Sequence, residues 1–456
     1  MFVLEDVRDA ELHEVRAQKI GKAPTFVLRN VDELRLVHSR PVGGDVRRRA
    51  MTTVLGIGAL VGAAACRAAR HPGTSPPPAA WVGTWATAQQ LVEPANLPPA
   101  PGLSGNTLRQ VVQASLGGHH VRVRLSNVFG DAPLVVDAAH VASSIGGSRI
   151  DLATDRRLTF AGVPKVAIPA GGEAVSDAVP FALRALSSVA VTLRFGVAPT
   201  AITGHPGSRT TSYLQAGDAV GAESLPAAVK TQHWYVTAGI DVARERTRAA
   251  VVVLGNSITD GRGSGTDRQN RWPDELARRL QRSGATADIA VLNAGIGGNC
   301  VLRACVGPSA LDRFDRDVLQ DGVRWLIVLE GVNDIGGARD SSRAEQVARE
   351  LIAAYQRIIA RAHARRIVAI GATILPFGRS FYDTAAHEAA RSTVNRWIRT
   401  SGAFDAVVDM DSVMRDASDP TRLAARADGG DHLHPNEAGY RMMADAVDLA
   451  IFARRR

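Results

Sequence analysis

Hydrophobic and polar positions alternate in short runs through the first half of this chain. The segment HVRVRLSNVFG, which begins at His120, puts its first two valines and Leu125 on one face of an extended chain, and SSVAVTLRFG from Ser187 repeats the pattern. Such alternation is typical of antiparallel strands with one buried face, and glycine or proline separates the runs. We therefore predict an all-β domain over residues 81–245, arranged as a jelly-roll-like sandwich.

The pattern changes at Ala249, where AAVVVLG begins a series of continuous apolar runs. Continuous runs are typical of parallel strands that are covered on both faces. Segments with helical spacing lie between them, such as RWPDELARRLQRSG from Arg271 and a longer stretch over residues 341–364. Strand and helix alternate about five times, which predicts a parallel sheet with helices on both faces for residues 246–456.

Residues 47–66, RRRAMTTVLGIGALVGAAAC, have the layout of an export signal: a charged cluster, an apolar stretch and a run of small residues. The segment is too short to span a bilayer comfortably. The small residues before Cys66 resemble a lipobox, in which the cysteine is lipidated and tethers the mature protein to a membrane. The alternative is cleavage near Ala65 and release. The sequence thus predicts a secreted protein or a cell-surface lipoprotein of a bacterium.

An export signal should stand at the N-terminus of a protein, yet residues 1–46 precede this one. We interpret them as a non-native upstream extension, with the true start near Val46, since valine can mark an alternative GTG start codon. Residues 67–80, which follow the signal, are rich in proline and small residues. They predict an extended linker between the signal and the first domain.

Composition narrows the classes of function. The chain has 456 residues, of which 45% are hydrophobic, enough to bury large cores. Its formal charge is +9, but nearly all of the cationic residues are arginines scattered along the chain, so we do not expect nucleic-acid binding. Besides Cys66, the chain has Cys300 and Cys305, five positions apart. They form either a small-loop disulfide or two free buried thiols.

Candidate chemistry lies where the predicted parallel strands end, because functional groups gather at the carboxyl ends of such strands. The first strand ends at Ser257, the second in the glycine-rich NAGIGGNC, and the third in EGVNDIGG, which contains Asn333. DGGDHLHPNEAGY precedes the last helix and places Asp431 three residues before His434. A hydroxyl, oxyanion donors, a carboxylate and an imidazole are the parts that nucleophilic acyl transfer requires.

These blocks, Gly-Asn-Ser, Gly-Gly, Gly-x-Asn-Asp and Asp-x-x-His-Pro in this order, resemble the SGNH hydrolase superfamily of GDSL esterases and lipases. The resemblance covers residues 248–456 and implies a three-layer, flavodoxin-like α/β fold. The first block of that family is usually Gly-Asp-Ser-Leu, whereas this chain has Asn256 before Ser257. The carboxylate beside the serine is absent, but the serine itself is retained.

The resemblance also implies roles for individual residues. Ser257 corresponds to the nucleophile, His434 to the general base that takes its proton, and Asp431 to the acid that orients the imidazole. The oxyanion hole corresponds to the backbone N–H groups of Ser257 and Gly298 and the side-chain amide of Asn333. This chemistry requires no cofactor and no metal ion.

Neighbouring residues offer alternatives to these assignments. Gly297 is one position from Gly298 in the same glycine pair. His432 and Asp428 lie beside the proposed pair but lack the Asp-x-x-His-Pro spacing, so we expect His432 to be an exposed neighbour. In the family pattern, Asp334 follows the functional asparagine and supports its loop.

Other polar and aromatic residues have no assigned role in the resemblance. Asp260 and Asp267 lie near Ser257 but lack companion ligands at metal-binding spacing. A polar loop at residues 203–214, in the β domain, is a candidate to reach the active site. Four aromatic residues could form a carbohydrate-stacking platform, although packing in the core or between the domains is the more frequent role of such residues: Trp81, Trp85, Trp234 and Tyr235.

The sequence therefore predicts an exported serine esterase that hydrolyses O-acyl esters, with short acyl or acetyl groups on a polysaccharide or a smaller carbohydrate as the favoured substrate. A lipase acting on lipid esters is the enzymatic alternative. A surface glycan-binding protein with a vestigial hydrolase domain is the alternative from another class.

Overall fold

The structure is a computed structural model that describes residues 80–243 and 248–453, together with the backbone of five strands between residues 2 and 48. The side chains of the proposed upstream extension lie outside the described residues. So do most of the export signal, including Cys66, and residues 67–79 of the linker.

Residues 1–74 form a unit of their own. In its backbone, β1 pairs in parallel with β3, β3 pairs in parallel with β5, and β2 pairs in parallel with β4. The strands are β1 (Phe2–His13), β2 (Arg16–Ala17), β3 (Phe26–Val37), β4 (Arg40–Pro41) and β5 (Val46–Arg48).

Residues 75–456 form the second unit, and its first part is built from strands. These are β6 (Trp81–Ala86), β7 (Gln90–Leu91), β8 (Asn106–Gln113), β9 (Gly118–Ser126), β10 (Leu134–Gly146), β11 (Arg149–Ile150), β12 (Arg156–Leu158), β13 (Val166–Ile168), β14 (Glu173–Val175), β15 (Val179–Leu183), β16 (Ser188–Phe195), β17 (Thr203–His205), β18 (Ser212–Ala216), β19 (Val229–Thr231), β20 (Trp234–Tyr235) and β21 (Thr237–Ala243). Short 3₁₀ turns lie at Pro94–Asn96 and Leu152–Thr154.

These strands form antiparallel sheets around one hydrophobic core. The larger sheet has the order β11-β10-β16-β8-β18-β19, and β12 and β13 also pair with β10. The other has the order β14-β9-β21-β6, with β15 on β9, and β20-β17-β7 form a small third sheet. Alternate residues of β9 are fully buried, as the alternation in the sequence predicts. The β-rich character of this region is confirmed, and its jelly-roll topology stays a prediction.

The second part of the unit alternates strands and helices. Its strands are β22 (Ala249–Gly255), β23 (Ile289–Gly295), β24 (Val323–Leu329), β25 (Val368–Ala372) and β26 (Ala406–Val408). Its helices are α1 (Ser257–Asp260), α2 (Trp272–Arg282), α3 (Phe314–Val318), α4 (Val332–Gly336), α5 (Ser341–Ala364), α6 (Ala385–Thr400), α7 (Met410–Met414), α8 (Glu437–Asp445) and α9 (Ala450–Ala453).

The predicted parallel sheet with helices on both faces is confirmed. Its order is β23-β22-β24-β25-β26, the flavodoxin-like arrangement in which the direction of winding reverses between β22 and β24. Successive side chains of β22 enter opposite layers, because side chains alternate along a strand. Val252 packs in the cluster that includes α5 and α6, whereas Val251 and Val253 pack in the cluster that includes α2 and α8.

The β-rich part covers the edge of this parallel sheet. Strand β23 is the edge strand, and its Val291 N–H donates to Ser115 Oγ at 3.0 Å. The Ser115 hydroxyl in turn donates to the Thr84 carbonyl, at 2.6 Å. In β6, a Cβ on Gly83 would lie 2.9 Å from a methyl group of Leu292, so the two strands approach as closely as glycine permits. An edge N–H that would otherwise be buried without a partner is thus satisfied.

Within the described residues, no helix combines the length and the apolar character needed to cross a membrane.

Removing the Ser115 hydroxyl tests this contact. Ser115→Ala leaves the buried Val291 N–H without an acceptor, so we expect the free energy of unfolding to fall by about 1–3 kcal/mol. Urea unfolding followed by fluorescence measures the change. Ser187→Ala is the matched control, since its hydroxyl donates to Arg184 O in an exposed turn. Equal effects of the two substitutions would contradict a special role for Ser115.

Candidate active site

Ser257 lies at the point where β22 turns into a single helical turn, α1. The side chain of Asn256 caps this turn by accepting the N–H of Ile258 at 3.0 Å. Gly255 ends the strand where a Cβ would lie 2.1 Å from Thr259 Oγ1, so a larger residue does not fit. Ser257 is only 7% exposed. The asparagine that replaces the usual aspartate therefore still caps the turn that carries the serine.

The structure brings Ser257, His434 and Asp431 into one line of hydrogen bonds. Ser257 Oγ lies 2.8 Å from His434 Nε2, and His434 Nδ1 lies 2.7 Å from Asp431 Oδ2. The other carboxylate oxygen accepts the backbone N–H groups of His434 and Leu433, at 2.8 and 3.1 Å. The carboxylate thus fixes the imidazole so that its Nε2 faces the serine hydroxyl. Such a line can move a proton from the serine to the imidazole.

Electrostatics favour a carboxylate beside a neutral imidazole. Burial opposes ionisation of Asp431, but the hydrogen bonds from the backbone and ring of His434 lower its pKa to about 2. Burial is the main cause that lowers the pKa of His434, and Arg262 and Arg209 lower it further, whereas Asp431 acts in the opposite direction. The pKa of His434 lies below its ordinary value, so the ring is available as a base near neutral pH.

Hydrogen-bond donors that could serve an oxyanion follow the ends of three neighbouring strands, β22, β23 and β24. Among the described residues, the backbone N–H groups of Ser257 and Gly298 have no acceptor. Gly298 has φ +73°, a conformation that favours glycine. Asn333 Nδ2 donates to Asn299 O at 2.7 Å, and its Oδ1 accepts the hydroxyl of Tyr382 at 3.1 Å. Because one amide hydrogen and Oδ1 are engaged, the orientation of the Asn333 amide is fixed.

The loop after Gly298 is closed by a disulfide. Cys300 and Cys305 are bonded, which decides between the two alternatives left by the sequence. Asp334 accepts the N–H groups of Val301 and Leu302, at 2.8 and 3.0 Å. It supports the loop, as the resemblance implies.

Residues 253–442 match the sequence model of the GDSL-like Lipase/Acylhydrolase family. These residues form a GDSL-like domain. The match begins in β22 and extends into α8, and so includes Ser257, Gly298, Asn333, Asp431 and His434. The protein is accordingly a carboxylic ester hydrolase.

Solved structures include proteins similar to this chain. A GDSL-like lipase from Bacteroides thetaiotaomicron is 20% identical, with a TM-score of 0.34, over 46% of this chain and 90% of the other. A variant of an acetyl xylan esterase from Geobacillus stearothermophilus is 19% identical, with a TM-score of 0.34, over 44% of this chain and 94% of the other. No curated protein matches the chain.

Two alternatives within the GDSL-like domain are separated by the structure. His432 pairs with Asp428 at 2.5 Å and its side chain is 42% exposed, so it is the exposed neighbour that the sequence predicts. The two Asp–His pairs are distinct, and only His434 bonds to Ser257. Gly297 has no left-handed φ, in contrast to Gly298.

The two aspartates near Ser257 connect the GDSL-like domain to the β-rich part. Asp260 Oδ1 lies 2.9 Å from His205 Nε2, and Asp267 accepts both the N–H and the hydroxyl of Thr211, at 2.6 and 2.7 Å. The expectation that loop 203–214 reaches this site is confirmed. No group of three or more metal-ligating side chains occurs among the residues that the structure describes.

The aromatic residues of the β-rich part pack in its interior. Trp85, Trp234 and Tyr235 are 7%, 1% and 0% exposed, and the two tryptophan rings meet edge to face with centroids 4.9 Å apart. Packing, rather than a carbohydrate platform, is therefore their role. Trp81 is partly exposed, with the guanidinium of Arg122 4.6 Å above its ring.

Two buried charged residues behind the GDSL-like site were not identified from the sequence. Arg313 donates to Gly255 O at 3.0 Å, Ala294 O at 2.7 Å and Asn299 Oδ1 at 3.0 Å. Glu330, directly after β24, is fully buried and lies 3.5 Å from the same guanidinium, and burial raises its pKa to about 8. Glu330 could have been noticed in the sequence, because it is a charged residue at the end of the apolar run VRWLIVLE. No local sequence pattern distinguishes Arg313 from the other arginines.

Tyr382 was also not identified, and its hydroxyl offers a test of the site. Burial raises the pKa of Tyr382, so its hydroxyl stays a donor to Asn333 Oδ1 across the assay range. Tyr382→Phe keeps the ring and removes one of the two hydrogen bonds that orient the Asn333 amide. We expect kcat on a simple acetate ester to fall about tenfold with KM little changed.

Tyr213→Phe, in the β-rich part, is the control for loss of a phenol. Steady-state kinetics on both variants measures the effect. An unchanged kcat in Tyr382→Phe would contradict a positioning role for this hydroxyl.

Proposed function

We propose that the protein hydrolyses O-acyl esters through an acyl-enzyme on Ser257, with His434 and Asp431 completing the catalytic triad. The line of hydrogen bonds from Ser257 Oγ through His434 to Asp431 carries the proposal. The proposal of an oxyanion hole is supported by the positions of Gly298 after β23 and Asn333 after β24, the strands on either side of β22.

In the first half of the reaction, Ser257 Oγ attacks the ester carbonyl while His434 Nε2 takes its proton. The carbonyl oxygen becomes an oxyanion, which accepts hydrogen bonds from the N–H groups of Ser257 and Gly298 and from Asn333 Nδ2. Collapse of this intermediate breaks the bond to the alcohol, and His434 returns its proton to the leaving alkoxide. The alcohol leaves and the acyl group stays on Ser257.

In the second half, His434 takes a proton from water, which attacks the acyl-enzyme. The same donors hold the second oxyanion. Its collapse releases the carboxylic acid, and the proton on His434 returns to Ser257 Oγ. Asp431 stays ionised throughout, because its low pKa keeps it a carboxylate beside the imidazolium.

We propose that the substrate is a carbohydrate that carries a short acyl ester, most favourably an acetyl ester. The charges around the site support a substrate whose alcohol part is polar. Arg209 and Arg262 lower the pKa of His434, and Arg303 opposes the rise in the pKa of Tyr382. Among the exposed large hydrophobic residues of the described ranges, only Val306 and Phe381 belong to the loops that carry Gly298 and Tyr382. Two isolated apolar residues offer little surface to a long acyl chain.

We also propose that the protein is exported, as the pattern of residues 47–66 predicts, and that Cys66 is lipidated. The disulfide between Cys300 and Cys305 supports export, because disulfides persist in oxidising compartments outside the cytosol.

The pH dependence of the reaction follows from His434. The ring must be neutral to accept the proton of Ser257, and its pKa is lowered from 6.5. We expect kcat/KM for p-nitrophenyl acetate to be constant above neutral pH and to fall only as pH drops through an apparent pKa below 6.5. A pH profile of kcat/KM measures this value, and an apparent pKa above 7 would contradict the assignment.

Asp431→Asn provides the matched variant for that profile. It removes the carboxylate that raises the pKa of His434, so the acid limb should move to lower pH. It also removes the acceptor that orients the ring, so the plateau should fall by about 10²–10⁴-fold. A plateau equal to that of the wild type would exclude Asp431 from the triad.

The substrate is tested with p-nitrophenyl esters from acetate to palmitate and by acetate release from acetylated xylan. We expect turnover of the short esters and of xylan, abolished in Ser257→Ala and reduced about 100-fold or more in Asn333→Ala. A preference for long chains would indicate a lipid acylhydrolase instead. Failure of a serine-reactive phosphonate to label Ser257, with no ester turned over, would favour a glycan-binding protein.

A further inference from the structure

A loop of the β-rich part grips the turn that carries Ser257. His205, at the end of β17, bonds through Nε2 to Asp260 Oδ1 at 2.9 Å and through Nδ1 to Ala88 O at 2.9 Å. Asp260 is the last residue of α1, which begins at Ser257. A Cβ on Gly207 would lie 2.0 Å from the Asp260 carboxylate, so only glycine allows this approach. The loop is therefore built against the nucleophile turn.

The same loop is held a second time on the other side of Arg209. Asp267 accepts the N–H and hydroxyl of Thr211, and its own N–H donates to Arg209 O at 2.9 Å. Gln269 Nε2 donates to Thr210 Oγ1, also at 2.9 Å. Contacts at positions 205 and 207 on one side and 210 and 211 on the other fix the backbone of Arg209 between them.

Arg209 itself is held in an unfavourable state. Its φ is +51°, in the left-handed region that residues with a Cβ rarely adopt. Its side chain is partly buried, and Nε is buried without a hydrogen-bond partner. In the described part of the chain, its guanidinium has no hydrogen bond and no ion pair. Such strain and desolvation persist where the surrounding structure enforces them, and they concentrate at functional sites.

The charge of Arg209 acts on the catalytic machinery. Together with Arg262, it lowers the pKa of His434. It also opposes the rise in the pKa of Tyr440, whose hydroxyl donates to Arg262 O at 2.5 Å. In the proposed mechanism His434 returns its proton to the leaving alcohol. The contacts of its loop with Asp260 and Asp267 hold Arg209 near the turn that carries Ser257, where a cation can contact the alcohol part of the ester, whose oxygen His434 protonates.

We propose that Arg209 binds an anionic group carried by the alcohol part of the ester, a carboxylate or a phosphate. This inference rests on the proposed function and specifies its substrate class as acylated anionic carbohydrates. The planar guanidinium can donate two parallel hydrogen bonds to either anion. The oxygens of the anion would then be the acceptors that the described part of the protein does not provide. The loop that carries Arg209 makes the β-rich part a contributor to specificity.

Three aryl acetates that differ in one substituent test the proposal: meta-acetoxybenzoate, its uncharged methyl ester and meta-acetoxyphenyl phosphate. The full-length protein and Arg209→Gln are compared at about pH 8, on the plateau of His434, so that loss of a nearby charge does not change the fraction of active base. The measured quantity is kcat/KM for each anionic ester divided by that for the methyl ester. Dividing the wild-type ratio by the variant ratio cancels intrinsic reactivity.

We expect this quotient to be about 10 or more for at least one of the two anionic esters. The ester with the larger quotient shows whether the site prefers a carboxylate or a phosphate. Arg209→Lys, which keeps the charge but loses the fork, should give an intermediate quotient. Arg441→Gln, which removes an exposed arginine of α8, should give a quotient near one. Matching urea midpoints for these variants would show that the fold is retained.

A quotient near one for both anions in Arg209→Gln would overturn the proposal, as would an equal loss on all three esters, which would indicate a structural role only. These outcomes differ from failure of the proposed function. If the wild type turned over none of the three esters in a serine-dependent way, the esterase mechanism itself would be wrong, and the anion site with it.

Discussion

One buried guanidinium ties together the strand ends from which the proposed catalytic groups project. Arg313 binds the carbonyl of Gly255, two residues before Ser257, the carbonyl of Ala294 near the end of β23, and the side chain of Asn299 beside Gly298. A buried cation that loses its partners costs about 3–5 kcal/mol, so the three loops are held in one relative arrangement. Glu330, the residue after β24, is buried with Arg313 and lies 3.5 Å from the same guanidinium. The proposed oxyanion donors would thus be held in place by this centre before a substrate binds, which is the condition under which such donors are most effective.

The β-rich part is integrated with the GDSL-like domain at two levels. At the level of the fold, Ser115 accepts an edge N–H of β23, and Gly83 allows β6 to lie against Leu292. At the level of the site, His205 and Thr211 bind aspartates on either side of the loop that follows Ser257. The Ser115 and His205 contacts each provide a partner for a buried polar group, whereas the Thr211–Asp267 hydrogen bonds lie at the surface. The turn that carries the nucleophile is thus shaped by residues from both parts.

Much of this arrangement could be predicted from local sequence. Period-two alternation identified strands such as β9, continuous apolar runs identified β22 to β24, and the strand-end rule placed Ser257 and Asn333 at one edge. Asp431 and His434 were identified because their Asp-x-x-His-Pro spacing resembles the family pattern, and in the structure this separation lets one carboxylate bind both the backbone and the ring. Tyr382, Arg313 and Arg209 could not be found in this way. Each acts across 49 or more positions or through tertiary packing, and a single sequence carries no local pattern for such contacts.

The basicity of His434 results from opposed effects that belong to different parts of the molecule. Burial in the site lowers its pKa, Asp431 from its own loop raises it, and Arg262 and Arg209 lower it again. Arg209 alone among these belongs to the β-rich part. If an anion binds to Arg209, the positive charge beside the imidazole is partly neutralised, and the ring becomes a stronger base in the complex than in the free enzyme. Substrate recognition and proton transfer would then be coupled through one loop, since the residue that selects the alcohol also adjusts the group that protonates it.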